Sequence, residues 1–255
     1  MSQIIAVNEN MSGLSPVADP ELEEMIKAGV HLGHSKSKTH PAMQPYIFGV
    51  RNTISLIDLT KTKEKLQEAS EFLRKVSSGG GIVLLVGTRP ASREIILKIA
   101  EKTKMPYFVE RWIGGTLTNF KVISKRVEHM ETLEHDKATG AFEKYTKKER
   151  MKKDEEIEKL RKYFDGLRRL KRLPDALFVV DITHDMTAVN EARKTNVPII
   201  ALTDTNSNSG LVNYPVPAND DAMSAVRYMV GRIGEAVEEG QRQAVKKEES
   251  PAEAQ

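Results

Sequence analysis

The chain has 255 residues, 39% of them apolar and 29% charged, with a formal net charge of +3 and no cysteine. This length supports a sizeable core, as one large domain or as a domain carrying an insertion. The missing cysteine excludes disulfides, thiolate zinc sites and cysteine nucleophiles, and no run approaches the roughly 18 apolar residues of a membrane span, so the sequence reads as a soluble, cytosolic protein.

Residues 1–19 lack a basic start followed by a sustained apolar stretch, so no targeting segment is expected. They have little to bury and are expected to form a disordered extension, as is the tail 241–255. The stretch "VHLGHSKSKTHPAMQPYIFGVRN" follows, with His31, His34 and His40 among Lys36, Lys38 and Arg51. Its histidines raise the question of a metal, but it holds no carboxylate and its prolines favour an irregular segment, so no metal is expected. Interleaved basic, polar and aromatic residues fit contact with RNA phosphate and ribose better, which makes Lys36, Lys38, His40 and Arg51 candidates.

Short Ile/Val-rich runs then recur: "TISLIDL" (Thr53 to Leu59), "GIVLLVG" (Gly81 to Gly87), "PYFVE" (Pro106 to Glu110), "ALFVVDI" (Ala176 to Ile182) and "PIIALTD" (Pro198 to Asp204). They read as parallel strands buried on both faces. Amphipathic helical patterns lie at Lys61 to Val76, Ala91 to Thr103, Met186 to Thr195 and Asp220 to Glu239. The alternation predicts an α/β, doubly wound parallel sheet built from residues 20–116 and 174–240.

One connection is too long for an ordinary crossover. Within residues 117–173, Ile123, Val127 and Met130 form one apolar stripe, and Ile157, Leu160, Phe164 and Leu167 another, on either side of a turn around Gly140. The pattern predicts an inserted, antiparallel coiled-coil helical hairpin. This segment carries 17 Lys+Arg against 11 Asp+Glu, so the positive charge of the chain is concentrated here and favours a polyanionic partner.

The hairpin is entered through "ERWIGGTLTNF", whose order of strand, glycines and helix is that of many phosphate sites. Neither the lysine-bearing nor the dinucleotide loop pattern is complete, however, so a nucleotide is not expected. Gly114 and Gly115 form a structural joint. Trp112 reads first as a packing residue and second as a platform for a base, helped by Arg111 and Asn119. Arg89 and Arg93 in "GTRPASRE" either meet phosphate or serve the entrance of the helix that Pro90 starts. Asp181, Asp185 and Asp204 follow successive strands, where carboxylates can hold Mg²⁺ for a hydrolase, but Thr183 and Asp185 are also good N-caps. A nucleotide- or metal-dependent α/β enzyme is thus the alternative to a non-enzymatic RNA-binding protein, and no catalytic set is complete.

The strings "AGVHLGH", "PYIFGVRN", "IDLTKT", "RWIGGTLTNF", "YTKKE", "LPDALFVVD", "AVNEARK", "PIIALTDTN" and "YPVPANDDA" together resemble the bacterial small-subunit ribosomal protein S2 family, from about Met25 to Gly240. The resemblance implies a flavodoxin-like sheet with a coiled-coil hairpin. It also implies binding of small-subunit ribosomal RNA between head and body, support of assembly and translation, and docking of the mRNA-binding ribosomal protein S1. The matching loop carries over Arg111, Trp112, Gly114, Gly115, Thr118 and Asn119, with Lys121 and Arg126 following on the helix. The partners implied are ribosomal RNA and neighbouring ribosomal proteins at the ribosome in the cytoplasm, with no membrane, cofactor or small-molecule substrate.

Overall fold

A computed structural model describes residues 19–249. The chain enters helix α1 (Pro20–Ala28) through Asp19, whose carboxylate accepts from Glu21 N, and leaves it at Gly29 with φ 79°. Asp19, expected within a disordered extension, is therefore an ordered N-cap. The rest of that extension lies outside the described residues.

Strands β1 (Leu32–Ser35), β2 (Ile47–Arg51) and β3 (Ile54–Ile57) form a small antiparallel sheet in the order β1-β3-β2. This corrects the placement of "TISLIDL" in the parallel sheet. Asn52 and Thr53 both take positive φ, 47° and 68°, and fold β3 straight back on β2, the geometry of a two-residue hairpin loop. The burial of β3 also alternates instead of being continuous.

Helix α2 (Leu59–Ser78), capped by Asp58, then leads into the main sheet: β4 (Val83–Val86), α3 (Pro90–Thr103), β5 (Tyr107–Phe108), α4 (Phe120–Ala138), α5 (Lys147–Phe164), β6 (Ala176–Val179), α6 (Met186–Lys194), β7 (Ile199–Thr203), β8 (Tyr214–Pro217) and α7 (Met223–Glu249). All five strands of this sheet are parallel, in the order β5-β4-β6-β7-β8. Numbered within the sheet this is 2-1-3-4-5, the flavodoxin-like order. Strand β8, "YPVP", was not expected. Its prolines disguise it, but it lies at the edge, where missing N–H donors are tolerated.

Alternate strand residues feed two cores. Val83, Leu85, Phe178, Ile200 and Leu202 meet the side covered by α1, α2, α3 and α7. Leu84, Val86, Leu177, Val179, Ile199 and Ala201 meet α6, α4 and the loop after β5. A hydrogen bond from Thr62 Oγ1 to Pro217 O, 2.7 Å, ties α2 to the edge strand.

Residues 241–249, expected in a disordered tail, continue α7. The helix is held there by its neighbours: Gln241 Nε2 donates to Thr103 O at 2.7 Å, and Gly240 packs so closely on α2 that a Cβ would stand 2.6 Å from Arg74 O. Residues 250–255 lie outside the described residues.

Helices α4 and α5 pack on each other along the predicted stripes, with Ile123, Val127 and Met130 buried on the first and Ile157 and Phe164 on the second. Near the connecting turn, Leu133, Phe142 and Ile157 form a small core of their own with Tyr145 and Leu160. One residue beyond Leu133, Glu134 binds both Arg161 and Arg168, the latter at 2.7 and 2.8 Å. These guanidinium donors outweigh the effect of burial and hold the Glu134 carboxyl down at about 2.

Candidate functional site

The loop after β5 turns its tryptophan inward. Trp112 is 6% exposed and its ring centroid lies 4.8 Å from that of Phe108. Its Nε1 donates to Glu191 Oε1 at 3.2 Å. Glu191, on the buried side of α6 between Ala188 and Ala192, also accepts from Gly115 N (2.7 Å), Leu117 N (2.9 Å), Thr118 N (3.2 Å) and Thr118 Oγ1 (3.2 Å). Burial pushes this carboxyl up, but the donors from the loop prevail and hold it below the ordinary carboxylate value.

A single acid thus organises the whole turn. This corrects the reading of Trp112 as a platform for a base, since its ring is used inside the protein. Gly115, with φ 91°, is the joint that the turn requires; a Cβ on Gly114 would meet nothing within 4 Å. Sequence reasoning missed Glu191, although an acid between alanines on an apolar helix face, in "AVNEARK", is a signal that something must pair with it.

At the carboxyl ends of β4 and β6, the switch point where such sheets bind ligands, the expected polar residues meet one another. Arg89 Nε lies 2.5 Å from Asp181 Oδ2, and the same guanidinium binds Asp221. Thr88 Oγ1 donates to Asp185 Oδ1 at 2.8 Å and lies 2.7 Å from His184 Nδ1. Arg93 donates to Thr88 O and to Glu110. Both arginines are therefore engaged by internal partners, in keeping with the helix-entrance role read for them from the sequence. Asp185 is also not a side-chain cap, because its carboxylate is turned to Thr88 and no cap bond to α6 forms.

Further along the same edge, His34 lies between Asp204 and Asp221, Nδ1 and Nε2 each 3.2 Å from a carboxylate oxygen. One donor atom from each of the three falls within 4.8 Å of the others, so this group could hold a divalent cation. Asp220 stands beside it. Burial, then the negative charges of Asp181, Asp204 and Asp221, push its carboxyl up to about 9 against the pull of Arg89. No spacing along the chain signals this group, because the fold brings His34 from the small sheet to the ends of β7 and β8.

The remaining basic candidates are exposed. Lys36 and Lys38 occupy a short turn before β2, and Arg51 ends that strand. His40 is different: its Nδ1 accepts from Ala42 N at 3.1 Å, so it caps the next turn. Arg111, Thr118, Asn119, Lys121 and Arg126 are exposed around the start of α4. Lys125, one helical turn beyond Lys121, joins them and was not among the residues expected from the sequence. None of Arg111, Lys121, Lys125 and Arg126 has an ion pair among the described residues.

Residues 25–240 match the family described as "Ribosomal protein S2". This chain belongs to the ribosomal protein S2 family. It is similar to the protein named "Small ribosomal subunit protein uS2" from two strains of Thermus thermophilus, with 45% identity over 83% of this chain and 82% of the relative in each case. The protein of the same name from Roseiflexus castenholzii is 43% identical over 86% of this chain and 83% of its own length. S2 proteins are structural components of the small ribosomal subunit and not enzymes. The enzyme alternative on Asp181, Asp185 and Asp204 has no support, and in this S2 chain Asp181 and Asp185 are bonded to Arg89 and Thr88. Among the described residues no helix is long and apolar enough to cross a membrane.

Proposed function

We propose that this chain binds small-subunit ribosomal RNA through the exposed residues at the base of α4, acting in subunit assembly and translation at the cytoplasmic ribosome. The observation that carries this reading is the group Arg111, Lys121, Lys125 and Arg126, whose cations have no carboxylate partner among the described residues and flank the polar Thr118 and Asn119. Unpaired cations on an ordered surface fit phosphate, and each phosphate contact steepens log K against log salt by roughly 0.7–0.9. Lys36, Lys38 and Arg51 extend the reading to the small sheet.

In this reading the sheet unit spans residues 20–116 and 174–240, and residues 117–173 are an inserted coiled-coil hairpin that carries the basic charge. The small sheet also exposes Phe48 (69%), Val50 (48%), Leu32 (41%) and Ile54 (40%). The register puts Phe48 and Val50 on one face of this sheet and Leu32 and Ile54 on the other; neighbouring exposed apolar groups on one face favour a protein partner, which supports docking of the mRNA-binding ribosomal protein S1 on the Phe48 face. The test is sedimentation of tagged chain in cell lysate. Co-migration with small subunits is expected for the wild type, with salt-sensitive loss for Lys121→Gln/Lys125→Gln/Arg126→Gln; migration of the wild type solely as free protein would refute the proposal.

A further inference from the structure

We propose that the α4–α5 pair is jointed: its outer part, from Leu133 through the turn to Ile157, opens as a unit of its own, and Glu134 is the clasp that holds it to the rest of the fold. The pair draws on two separate cores. Ile123, Val127, Met130, Phe164, Leu167 and Leu170 belong to a core of the main sheet, whereas Leu133, Phe142 and Ile157 form the outer one. The two share no buried member, although Met130 and Leu133 lie one above the other on the same face of α4. Among the described residues Leu160, half-buried, is the one side chain packed against both.

The outer part has little to hold it. From Lys147 to Glu156, α5 buries no side chain. Its contribution there is Lys153, which lies over the rings of Phe142 (5.2 Å) and Tyr145 (4.8 Å). The turn is closed locally, because Glu149 accepts from Thr146 N and Oγ1 at 2.9 Å in a capping box. Helical segments this short are marginal in water unless packing supports them, and few buried contacts mark the low end of local stability. Opening the outer part removes no residue from the core of the main sheet, so the sheet need not open with it.

Ion pairs bridge the joint. Glu134 stands on the outer side, next to Leu133. Arg161 follows Leu160, and Arg168 lies beyond the end of α5, between Leu167 and Leu170 of the main core. Glu134 takes both guanidinium groups, that of Arg168 through two bonds of 2.7 and 2.8 Å. Arg168 is itself steadied by Asp165 at 2.7 Å. A forked contact of this kind fixes direction as well as distance. His129 and Glu156 also face each other at 3.2 Å, but their side chains are 46% and 50% exposed, against 19% for Glu134, so solvent screens the Glu134 clasp less. With the clasp closed, the pair is one body with the sheet; with it open, the outer part moves while β4, β6 and β7 keep their packing.

Hydrogen exchange followed by mass spectrometry on the full-length chain tests this. In the wild type the amides of residues 133–157 are expected to exchange faster than those of β4, β6 and β7. Glu134→Gln is expected to accelerate the outer amides by about threefold to tenfold and to leave the strands unchanged. Ile157→Ala, which removes the centre of the outer core, should abolish protection there while the unfolding transition seen by Trp112 fluorescence stays at the wild-type temperature. Outer amides that exchange in step with the strands, or a Trp112 transition lowered by Ile157→Ala, would show one cooperative body and overturn the joint. Unchanged outer exchange in Glu134→Gln would overturn the clasp.

Discussion

The indole of Trp112 and the carboxylate of Glu191 lie 3.2 Å apart across two elements separated in sequence by the whole of residues 117–173, and the same carboxylate takes three backbone N–H groups of the loop. The basic surface at the start of α4 is thus positioned from beneath by an acid on α6. Glu191→Ala strands these donors, each at a cost of about 1–3 kcal/mol where water does not replace the acid. A loss of about 2–4 kcal/mol is expected in denaturant unfolding. Glu191→Gln should lose less, and it should change the acid limb. The folded carboxyl is held below its unfolded value, so its contribution is complete above about pH 4.5 and disappears as pH falls through the folded value. The Gln variant lacks that component.

Trp112 is the sole tryptophan of the chain, so its fluorescence reports this loop alone. Trp112→Ala is expected to cost about 3–5 kcal/mol of stability. RNA affinity of the remaining folded protein should change little, and the wild-type emission should be that of a buried indole, unquenched by RNA. Strong quenching by RNA with a small change in melting temperature would contradict the packing described.

Asp220 makes the opposite pH prediction. Its folded carboxyl titrates at about 9 and its unfolded one near 3.8, so between these values the folded state holds a proton that the unfolded chain has released. Stability is complete below the lower value and declines as pH rises towards the upper one, by at most about 1.4 kcal/mol per unit. Melting curves in a chelator from pH 6 to 9 should fall for the wild type and be flatter for Asp220→Asn, which is the more stable protein at pH 8. Parallel curves for the two would contradict a neutral Asp220.

Gly166 joins α5 to the sheet. A Cβ there would lie 2.2 Å from Tyr107 O and 2.8 Å from its ring, and backbone cannot yield as a flexible side chain can. Gly166→Ala is expected to destabilise by about 1–3 kcal/mol or more. Hydrogen exchange should rise at β5 and at the base of the helical pair, while the small sheet keeps its protection.

Phe48 tests the protein-docking side of the proposal. With its side chain 69% exposed, Phe48→Ser should leave stability within about 0.5 kcal/mol and weaken capture of ribosomal protein S1 by reconstituted subunits. Equal capture by both would locate that contact elsewhere.

The parallel strands and their helices were legible because both signals are local: continuous Val/Ile runs at β4, β6 and β7, and apolar spacing on α2, α3 and α6. So were the two stripes of α4 and α5. The small sheet was not, since β1 is four residues long, β2 alternates, and the backbone of Asn52 and Thr53 decides that β3 folds back. The proline-bearing β8 contradicts local propensity and is set by its edge position. At the candidate site the exposed lysines and arginines could be read from the chain, but not which of them a carboxylate would claim. Arg89 and Arg93 look like Lys121 and Arg126 in sequence; only the approach of Asp181, Asp221 and Glu110 separates them.

Helix α7 has a consequence for the order of events during synthesis. It supplies Ala225, Val226, Met229, Val230, Ile233, Ala236 and Val237 to one face of the main sheet, and its Arg232 and Ser224 reach back to Glu21 and Ala28 on α1. While these turns are still inside the exit tunnel, that face is covered by α2 and α3 without α7, and α1 keeps only its contacts with α2. The other face, closed by α4 and α6, draws on segments that emerge earlier. A nascent chain can therefore complete the loop after β5 and the helical pair before its opposite side is sealed, and truncation within α7 should yield a species that is partly closed and prone to associate through the apolar surface α7 leaves uncovered.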